Sequence, residues 1–328
     1  MRLNRCLDNP ILKPDTARKW ESGAVFNCGA TLSDDGEVYL LYRAVSACYT
    51  RKLVGCGYDN YISSIGGAVS QDGINFIRFE QPVIQPTEEW ERYGCEDPRI
   101  TMLEMEGRPL YLITYTALSA PAFSGRGDRV ALVVTEDFRT FHKHGVIIPD
   151  LNDKDAVIFP ELIQGKIAML HRVAPNIQIV YFDDLEQLTN PGKSFWREYT
   201  AVLEEFTIMK PKYQWESSKI GAGPPPVKTK EGWLLIYHGV DEKHVYRTGI
   251  ALLDLEDPSK VIARSPYPIL EPEAEYERVG DVPNVVFPEG AVIRDGMLYV
   301  YYGGADKCCC LATADLDDLL DHLLAFQV

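Results

Sequence analysis

The sequence has no long apolar run, no apolar leader and no excess of positive charge. No stretch approaches the roughly 18 consecutive apolar residues of a membrane-spanning helix. Residues 1–8 include three charged side chains and lack the apolar core of a secretory signal, so we expect a cytoplasmic protein with no membrane partner. The formal net charge of −15 argues against nucleic acid as a partner.

Paired cysteine motifs are also missing. The chain has eight cysteines, three of them consecutive at Cys308, Cys309 and Cys310, but no Cys-x-x-Cys spacing. In a cytoplasmic protein, we interpret these residues as reduced thiols rather than as disulfides or zinc ligands. We therefore expect no metal site.

Short alternating or apolar runs separated by Gly, Asp and Pro turns dominate the sequence and predict β-strands. Five times, a first strand leads through a polar turn into an aromatic-rich second strand. The copies occupy residues 25–43, 96–115, 159–172, 223–238 and 287–302. Because the second strands end about 55 to 75 residues apart, each copy has room for a four-stranded sheet.

This repeat predicts an all-β fold, a five-bladed β-propeller that forms a single catalytic domain over residues 1–328. The alternative is a β-sandwich with accidental self-similarity. After the last copy, leucines at helical spacing follow Asp315, a predicted N-cap, and indicate a short C-terminal helix on an outer face.

Matching positions of propeller blades point into one central cavity and form rings there. The predicted first-strand ring consists of Asn27, Asp97, Glu161, Pro225 and Glu289. The predicted second-strand ring consists of Arg43, Tyr115, Arg172, His238 and Tyr302. Because buried cations are costly unless they are paired, cations at matching positions opposite carboxylates favour an anion site. Separate structural ion pairs are the alternative.

The stretch Glu96-Asp97-Pro98-Arg99 places two acids and a fixed cation within four residues. Pro98 favours an extended Asp97 at a strand end, although a surface turn with a local ion pair has the same composition. Farther along the chain, Lys219 precedes glycines that let a ligand approach the backbone closely.

These residue types suggest glycoside chemistry with an anionic co-substrate. Ordinary glycoside hydrolysis needs two carboxylates, whereas attack by phosphate needs one acid for the leaving oxygen and cations for the phosphate. Asp97 supplies the acid, and the cations are Arg43, Arg172, Lys219 and His238.

The chain resembles the five-bladed β-mannoside phosphorylases of glycoside hydrolase family 130. The resemblance is carried by residues 96–99, 219–224, 234–240 and 282–288. It implies inverting phosphorolysis of β-mannosides to α-mannose 1-phosphate, with Asp97 as the general acid that acts through a mannose hydroxyl. It also implies phosphate contacts from Arg43, Arg172, Lys219, His238 and Tyr246, and sugar contacts from Asn27, Arg43 and Asp306.

Glu96 stands where many members that act on β-1,4 bonds have Tyr, which favours a β-1,2-mannoside substrate over a β-1,4-mannoside. The full predicted substrate-binding set is Asn27, Glu96, Arg99, Tyr115, Glu161, Glu289 and Asp306. Phosphate is expected as co-substrate, with no cofactor, and the loops 48–61 and 117–127 are expected to choose the acceptor. A homo-oligomer is left open.

Two other functions fit the same sequence. One is an inverting β-mannosidase that uses Glu161 or Glu289 as the base; the other is a sugar-binding propeller without catalysis. Retention of Arg172, Lys219 and His238 favours the phosphorylase over the mannosidase, because plain mannosidases of the family lack the phosphate-binding cations.

Overall fold

Antiparallel strands pair into five propeller blades in the computed structural model, which describes residues 1–53, 57–105, 107–149 and 151–328. Cys56 and the rest of segment 54–56, within the predicted acceptor loop, lie outside the described residues. The expected five-bladed propeller is confirmed, and the predicted second strand is present in every blade, but the inner strands of blades three and four begin before the predicted first strands.

The strands follow in chain order. Strand β1 spans Asn4–Arg5. Blade one contains β2 (Ala24–Leu32), β3 (Val38–Val45), β6 (Ser63–Ser70) and β7 (Ile77–Arg78), with the small hairpin β4 (Thr50–Arg51) and β5 (Tyr58–Asp59) in its β3–β6 connection. Blade two contains β8 (Cys95–Met105), β9 (Arg108–Leu118), β10 (Asp128–Thr135) and β11 (His142–Ile148). Blade three contains β12 (Lys154–Ile158), β13 (Ile167–Arg172), β14 (Ile177–Phe182) and β15 (Thr207–Met209).

Blade four contains β16 (Lys219–Ala222), β17 (Val227–Lys228), β18 (Trp233–Val240), β19 (Tyr246–Leu253) and β20 (Val261–Arg264). Blade five contains β21 (Val286–Arg294), β22 (Met297–Gly304) and β23 (Cys308–Asp315). Its outer edge is completed by β1, since Asn4 pairs with Thr313 of β23. The two ends of the chain therefore share one blade, which closes the ring of sheets.

Short helices occupy the connections. The α-helices are α1 (Leu185–Thr189), α2 (Gly192–Ala201), α3 (Glu275–Arg278) and α4 (Leu316–Leu324), and 3-10 turns cover Lys19–Glu21, Glu89–Glu91, Leu203–Phe206 and Gln214–Glu216. Asp315 caps α4 as predicted, because its side chain accepts a hydrogen bond from the Asp318 N–H at 3.0 Å. Leu319, Leu320 and Leu323 pack into the core between blades four and five.

None of the helices in the described ranges is long and apolar enough to cross a membrane.

Four blades share a buried contact that we call the carboxylate clasp. In it, a glutamate that precedes the blade accepts a hydrogen bond from a tyrosine of the second strand and forms an ion pair with a cation of the outer strand. The glutamates are Glu21, Glu91, Glu216 and Glu277, and the tyrosines are Tyr42, Tyr115, Tyr237 and Tyr302. The cations are Arg78, Lys143, Arg264 and Arg5. All four glutamates are fully buried, so each clasp satisfies a charge in the core and ties the inner strands to the outer edge.

Candidate functional site

β-Bulges at the starts of inner strands place polar side chains at the propeller axis. The pairing register slips between Phe26 and Cys28 in β2, between Glu96 and Arg99 in β8, and between Lys154 and Val157 in β12. The residues at these slips, Asn27, Asp97 and Asp155, have φ values of 50°, 54° and 55°. Left-handed backbone at a non-glycine residue is strained, and together with a bulge it commonly re-aims a side chain at a functional site.

In blade three, the predicted ring member Glu161 is wrong. The inner strand of this blade is β12, so Asp155 occupies the position assigned to Glu161. Glu161 follows the opposite end of that strand, where it is exposed and pairs with Lys228. The error arose because Phe159-Pro160-Glu161 has the same residues as Phe287-Pro288-Glu289 of blade five.

Glu289 lies at the bulge of its inner strand but is fully buried. The register of β21 slips between Pro288 and Gly290, so Glu289 is the residue at this slip, as Asn27 is in β2. Glu289 is 0% exposed and lies 3.2 Å from the Arg99 guanidinium, and burial raises its pKa well above the usual range. The structure therefore places Glu289 beneath the cavity surface.

Tyr115 and Tyr302 were also assigned to the wrong face. Each forms a carboxylate clasp in the same register as Tyr42, the residue before Arg43. Because side chains alternate along a strand, the blade-two counterpart of Arg43 is Thr116, which pairs with Glu96. Tyr115 therefore lies in the blade interior rather than on the predicted substrate surface.

Asp97 lies at the centre of a buried polar cluster contributed by blades one and two. Its Oδ1 accepts from Asn27 Nδ2 at 2.9 Å and from Arg43 Nε at 2.8 Å. Burial acts to raise the Asp97 pKa, but Arg43 and Lys154 outweigh that effect, so the net pKa is lowered. Asp97 is thus ionised in the free protein.

Two further carboxyls adjoin Asp97 and carry raised pKa values. Glu96 lies 3.2 Å from Arg43, and burial raises its pKa against the opposing effect of Arg43 and Lys154. Asp306 lies in the β22–β23 turn, where it and Ala305 both have left-handed backbone. Burial raises the Asp306 pKa to about 7; Arg43 opposes this, and the negative charge of Asp97 adds to it.

A second cluster, from blades three and four, is cationic. Arg172 Nη1 lies 2.7 Å from Asp155 Oδ2 and 3.2 Å from His238 Nε2. Lys219 Nζ lies 5.5 Å from the centroid of the Tyr246 ring. Burial and then Arg172 lower the Lys219 pKa to about 8, and burial lowers the His238 pKa to about 3, so the imidazole is neutral. The structure thus brings the predicted Arg172, Lys219, His238 and Tyr246 together.

Arg99 connects the two clusters through hydrogen bonds to residues of both. It is 1% exposed and donates to the Asp97 carbonyl at 3.1 Å, to Asp155 Oδ1 at 2.9 Å and to the Gly223 carbonyl at 3.0 Å. The prediction that Arg99 contacts substrate is therefore wrong: its guanidinium faces protein groups and fixes the position of the cavity floor.

Lys154 is a site residue that the sequence interpretation missed. It opens β12 and lies 3.7 Å from Glu96 Oε2 and 3.5 Å from Asp128 Oδ1, between the acidic and cationic clusters. The available signal was its place in the repeat, immediately before Asp155 as Glu96 stands before Asp97.

An aromatic wall, formed by Tyr49, Tyr58, Tyr61 and Phe123, stands beside the acidic cluster on the two predicted acceptor loops. The ring centroids lie 5.1 to 5.9 Å apart. Arg43 Nη1 donates to the Tyr61 hydroxyl at 3.3 Å, which links the wall to Asp97. Phe123 is 43% exposed and has a φ of 64°. The exposed ring is a surface on which a sugar can stack.

Several buried polar atoms in these clusters have no hydrogen-bond partner within the described structure. They include Asn27 Oδ1, Arg172 Nε, His238 Nδ1 and Glu289 Oε2, whereas Glu96 Oε1, Asp155 Oδ2 and Glu289 Oε1 each lie within 3.2 Å of an arginine nitrogen without forming a hydrogen bond to it. Buried polar groups are usually satisfied, so such a concentration indicates a ligand site. In the described ranges, no group of three or more His, Cys, Asp or Glu side chains is placed to hold a metal ion. The arrangement provides one acid beside cations suited to an oxyanion.

Known proteins resemble the chain over almost its full length. A family model described as beta-1,4-mannooligosaccharide phosphorylase matches residues 7–324. A 1,2-beta-oligomannan phosphorylase of Thermoanaerobacter sp. (strain X514) is 42% identical over 97% of this chain and 99% of its own length. A beta-1,2-mannobiose phosphorylase from the same strain is 44% identical over 93% of this chain and 94% of its own. The structure of beta-1,2-mannobiose phosphorylase from Listeria innocua, in complex with beta-1,2-mannobiose, is 29% identical and superposes with a TM-score of 0.79, covering 99% of this chain and 100% of that one.

Proposed function

Because the chain belongs to glycoside hydrolase family 130, we propose that it is an inverting phosphorylase that cleaves β-1,2-mannosides with inorganic phosphate. The products are α-mannose 1-phosphate and the shortened acceptor. The observation that carries this proposal is the pairing of one acid, Asp97, with the cations Arg172 and Lys219 across a floor built by Arg99. The activities for which the two Thermoanaerobacter relatives are named support the same reaction.

In this proposal, Asp97 is the general acid. Its proton reaches the leaving oxygen through a mannose hydroxyl, and Asn27 and Arg43, which bind Oδ1, fix the carboxyl orientation. Asp306 accepts from a sugar hydroxyl beside the same cluster. Because Asp97 is ionised in the free protein, it must take up a proton once substrates bind.

Phosphate occupies the cationic cluster and attacks the anomeric carbon from the side opposite the leaving sugar. Arg172, Lys219 and Lys154 stabilise its charge, while the neutral His238 and Tyr246 contribute hydrogen bonds. Arg43, predicted as a phosphate ligand, donates to Asp97 and Tyr61 and lies 3.2 Å from Glu96, which favours a role at the sugar. Arg43 and, to a smaller extent, Lys154 keep Asp97 ionised; a bound dianion offsets the Lys154 charge, so phosphate binding promotes protonation of the acid.

The leaving sugar is placed against the aromatic wall. The wall belongs to blades one and two and is linked to Asp97 through Arg43, whereas Arg172 and Lys219 belong to blades three and four. Inversion requires the leaving group and the phosphate to lie on opposite sides of the reacting sugar. Glu96 lines the same side as the wall and is proposed to contact the sugar, which supports the preference for a β-1,2 bond.

The test is incubation of β-1,2-mannobiose and β-1,4-mannobiose with and without phosphate, followed by phosphorus and proton magnetic resonance of the products. We expect phosphate-dependent release of mannose and formation of α-mannose 1-phosphate, faster from the β-1,2 substrate. Equal mannose release in both tubes without mannose 1-phosphate would refute the phosphorylase and indicate a hydrolase. Binding of sugar without turnover would indicate a non-catalytic propeller.

A further inference from the structure

Asp155 is the blade-three member of the bulged inner ring, and the proposed reaction gives it no role. It is 2% exposed, has a φ of 55° and occupies the position that Asn27 and Asp97 hold in their own blades. Its two oxygens face different partners. Oδ1 accepts from Arg99 at 2.9 Å, and Oδ2 lies 2.7 Å from Arg172 Nη1.

The contact with Arg172 determines which edge of the guanidinium is free. Asp155 and His238 both lie against Nη1. Arg172 Nε is buried without a partner, and Nη2 makes no hydrogen bond to the residues that the structure describes. An arginine binds an oxyanion best through two parallel N–H groups, and the Nε–Nη2 edge is one such pair. Asp155 thus leaves one complete bidentate edge for a ligand.

The contact with Arg99 connects this edge to the acid. Arg99 donates to Asp155 with Nη2 and to the Asp97 carbonyl with Nη1 at 3.1 Å. A single guanidinium therefore spans the distance between the carboxylate that orients Arg172 and the strand that carries Asp97. The spacing between phosphate and acid depends on this bridge.

We propose that Asp155 is a positioning residue, which holds Arg172 with its Nε–Nη2 edge towards phosphate and, through Arg99, sets the distance from that edge to Asp97. This inference rests on the proposed phosphorylase activity.

The sign of the effect distinguishes positioning from simple electrostatics. A carboxylate beside a phosphate site repels the dianion, so by charge alone Asp155→Asn would tighten phosphate binding. If Asp155 positions Arg172, the same substitution weakens phosphate use. Supporting groups behind a ligand typically contribute about 10- to 100-fold, and we expect KM for phosphate to rise by about that factor while KM for β-1,2-mannobiose changes less than about two-fold.

A pH profile adds a readout that a purely structural role would leave unchanged. The charged and titratable groups around Lys219 are Arg172, Asp155, Lys154, Asp128, His238 and the Tyr246 phenol. Asp155 raises the Lys219 pKa, which burial and Arg172 lower to about 8. Loss of the Asp155 charge therefore moves the alkaline limb of kcat/KM for phosphate to lower pH in Asp155→Asn.

Asp153→Asn is the matched control. Asp153 is 1% exposed, but its Oδ2 lies 2.6 Å from His171 and its Oδ1 accepts from the backbone N–H of Arg172, away from the guanidinium. We expect Asp153→Asn to lower stability while leaving KM for phosphate within about two-fold and the alkaline limb in place.

Gly221→Ala serves as a second variant in case Asp155→Asn fails to fold. A Cβ at Gly221 would lie 2.3 Å from Asp155 Oδ2 and 2.5 Å from His238 Cε1, so both side chains must shift while the Asp155 charge stays. We expect KM for phosphate to rise without movement of the alkaline limb. An unchanged or lower KM for phosphate in either folded variant overturns the inference, provided that wild type forms mannose 1-phosphate; if wild type forms none, the proposed function itself has failed.

Discussion

Lys219 gives the sharpest test of the cationic cluster, because its charge is set to change just above neutral pH. Burial and the nearby Arg172 lower its pKa to about 8. A lysine that must be protonated to bind phosphate then loses its charge within the working range of the assay. Arginine at this position keeps its charge at every accessible pH.

The expected magnitude follows from that pKa of about 8. Each pH unit above the pKa lowers the protonated fraction about ten-fold, equivalent to about 1.4 kcal/mol. For the wild type, kcat/KM for phosphate should therefore fall about ten-fold between pH 7 and pH 9. Lys219→Arg should have a lower kcat/KM for phosphate at pH 7, because the geometry of arginine differs from that of lysine. Its kcat/KM should not fall between pH 7 and pH 9. Phosphate adds negative charge beside Lys219, so at saturating phosphate the limb in kcat should lie at higher pH than the limb in kcat/KM.

The assay measures initial rates of mannose 1-phosphate formation at saturating β-1,2-mannobiose and subsaturating phosphate across pH 6 to 9.5. All variants share the same phosphate solutions, so the ionisation of phosphate is common to them. Lys228→Arg, at an exposed position paired with Glu161, is the control and should keep the wild-type profile. The same alkaline limb in Lys219→Arg and wild type would refute the assignment of this limb to Lys219.

Three further predictions address the acid, the acceptor side and the frame. Asp97→Asn should lower phosphorolysis of mannobiose by about 10²- to 10⁴-fold, with a smaller loss on an aryl β-mannoside whose leaving group needs no proton; equal losses on both substrates would contradict the role of general acid. Phe123→Ala should raise KM for acceptor mannose in synthesis from α-mannose 1-phosphate by up to about ten-fold, whereas Tyr267→Ala, an exposed aromatic outside the wall, should not. Tyr42→Phe should lower the free energy of unfolding in urea by about 1.5 to 3 kcal/mol, because buried Glu21 loses a donor; a Tyr299→Phe control of equal effect would argue against the clasp.

The five-bladed architecture could be predicted from the sequence because each blade repeats the same order of strand, turn and strand. The repeat also pointed to Arg172 and His238, which lie near the ends of regular strands, where position in the repeat translates directly into position in space. Lys219 came from its neighbouring glycines and the family resemblance, and Tyr246 from the resemblance; the structure brings all four into one cluster.

Other site residues were misplaced or missed because bulges break the two-residue period. Tyr115 and Tyr302 are each one position before the residue that corresponds to Arg43, and a shift of one residue in a strand exchanges its two faces. Asp155 was missed because β12 has only five residues and a lookalike segment follows it at Glu161. One signal was present but unused: Trp-Glu or Tyr-Glu recurs ahead of four blades and ends at each clasp glutamate.

The division of charge in the site also determines how its two substrates depend on each other. Arg99 and Asp155 form a fixed pair beneath the cavity, so the cations left to respond to a ligand are Arg43, Lys154, Arg172 and Lys219. Lys154 stands between Glu96 and the cationic cluster, and it lowers the Asp97 pKa. A bound phosphate dianion offsets the positive charge of Lys154 that acts on Asp97, and the neutral mannoside does not. In the proposed reaction, phosphate binding therefore promotes proton uptake by Asp97, because it opposes the lowering of the Asp97 pKa by Lys154, which adds to the larger lowering by Arg43.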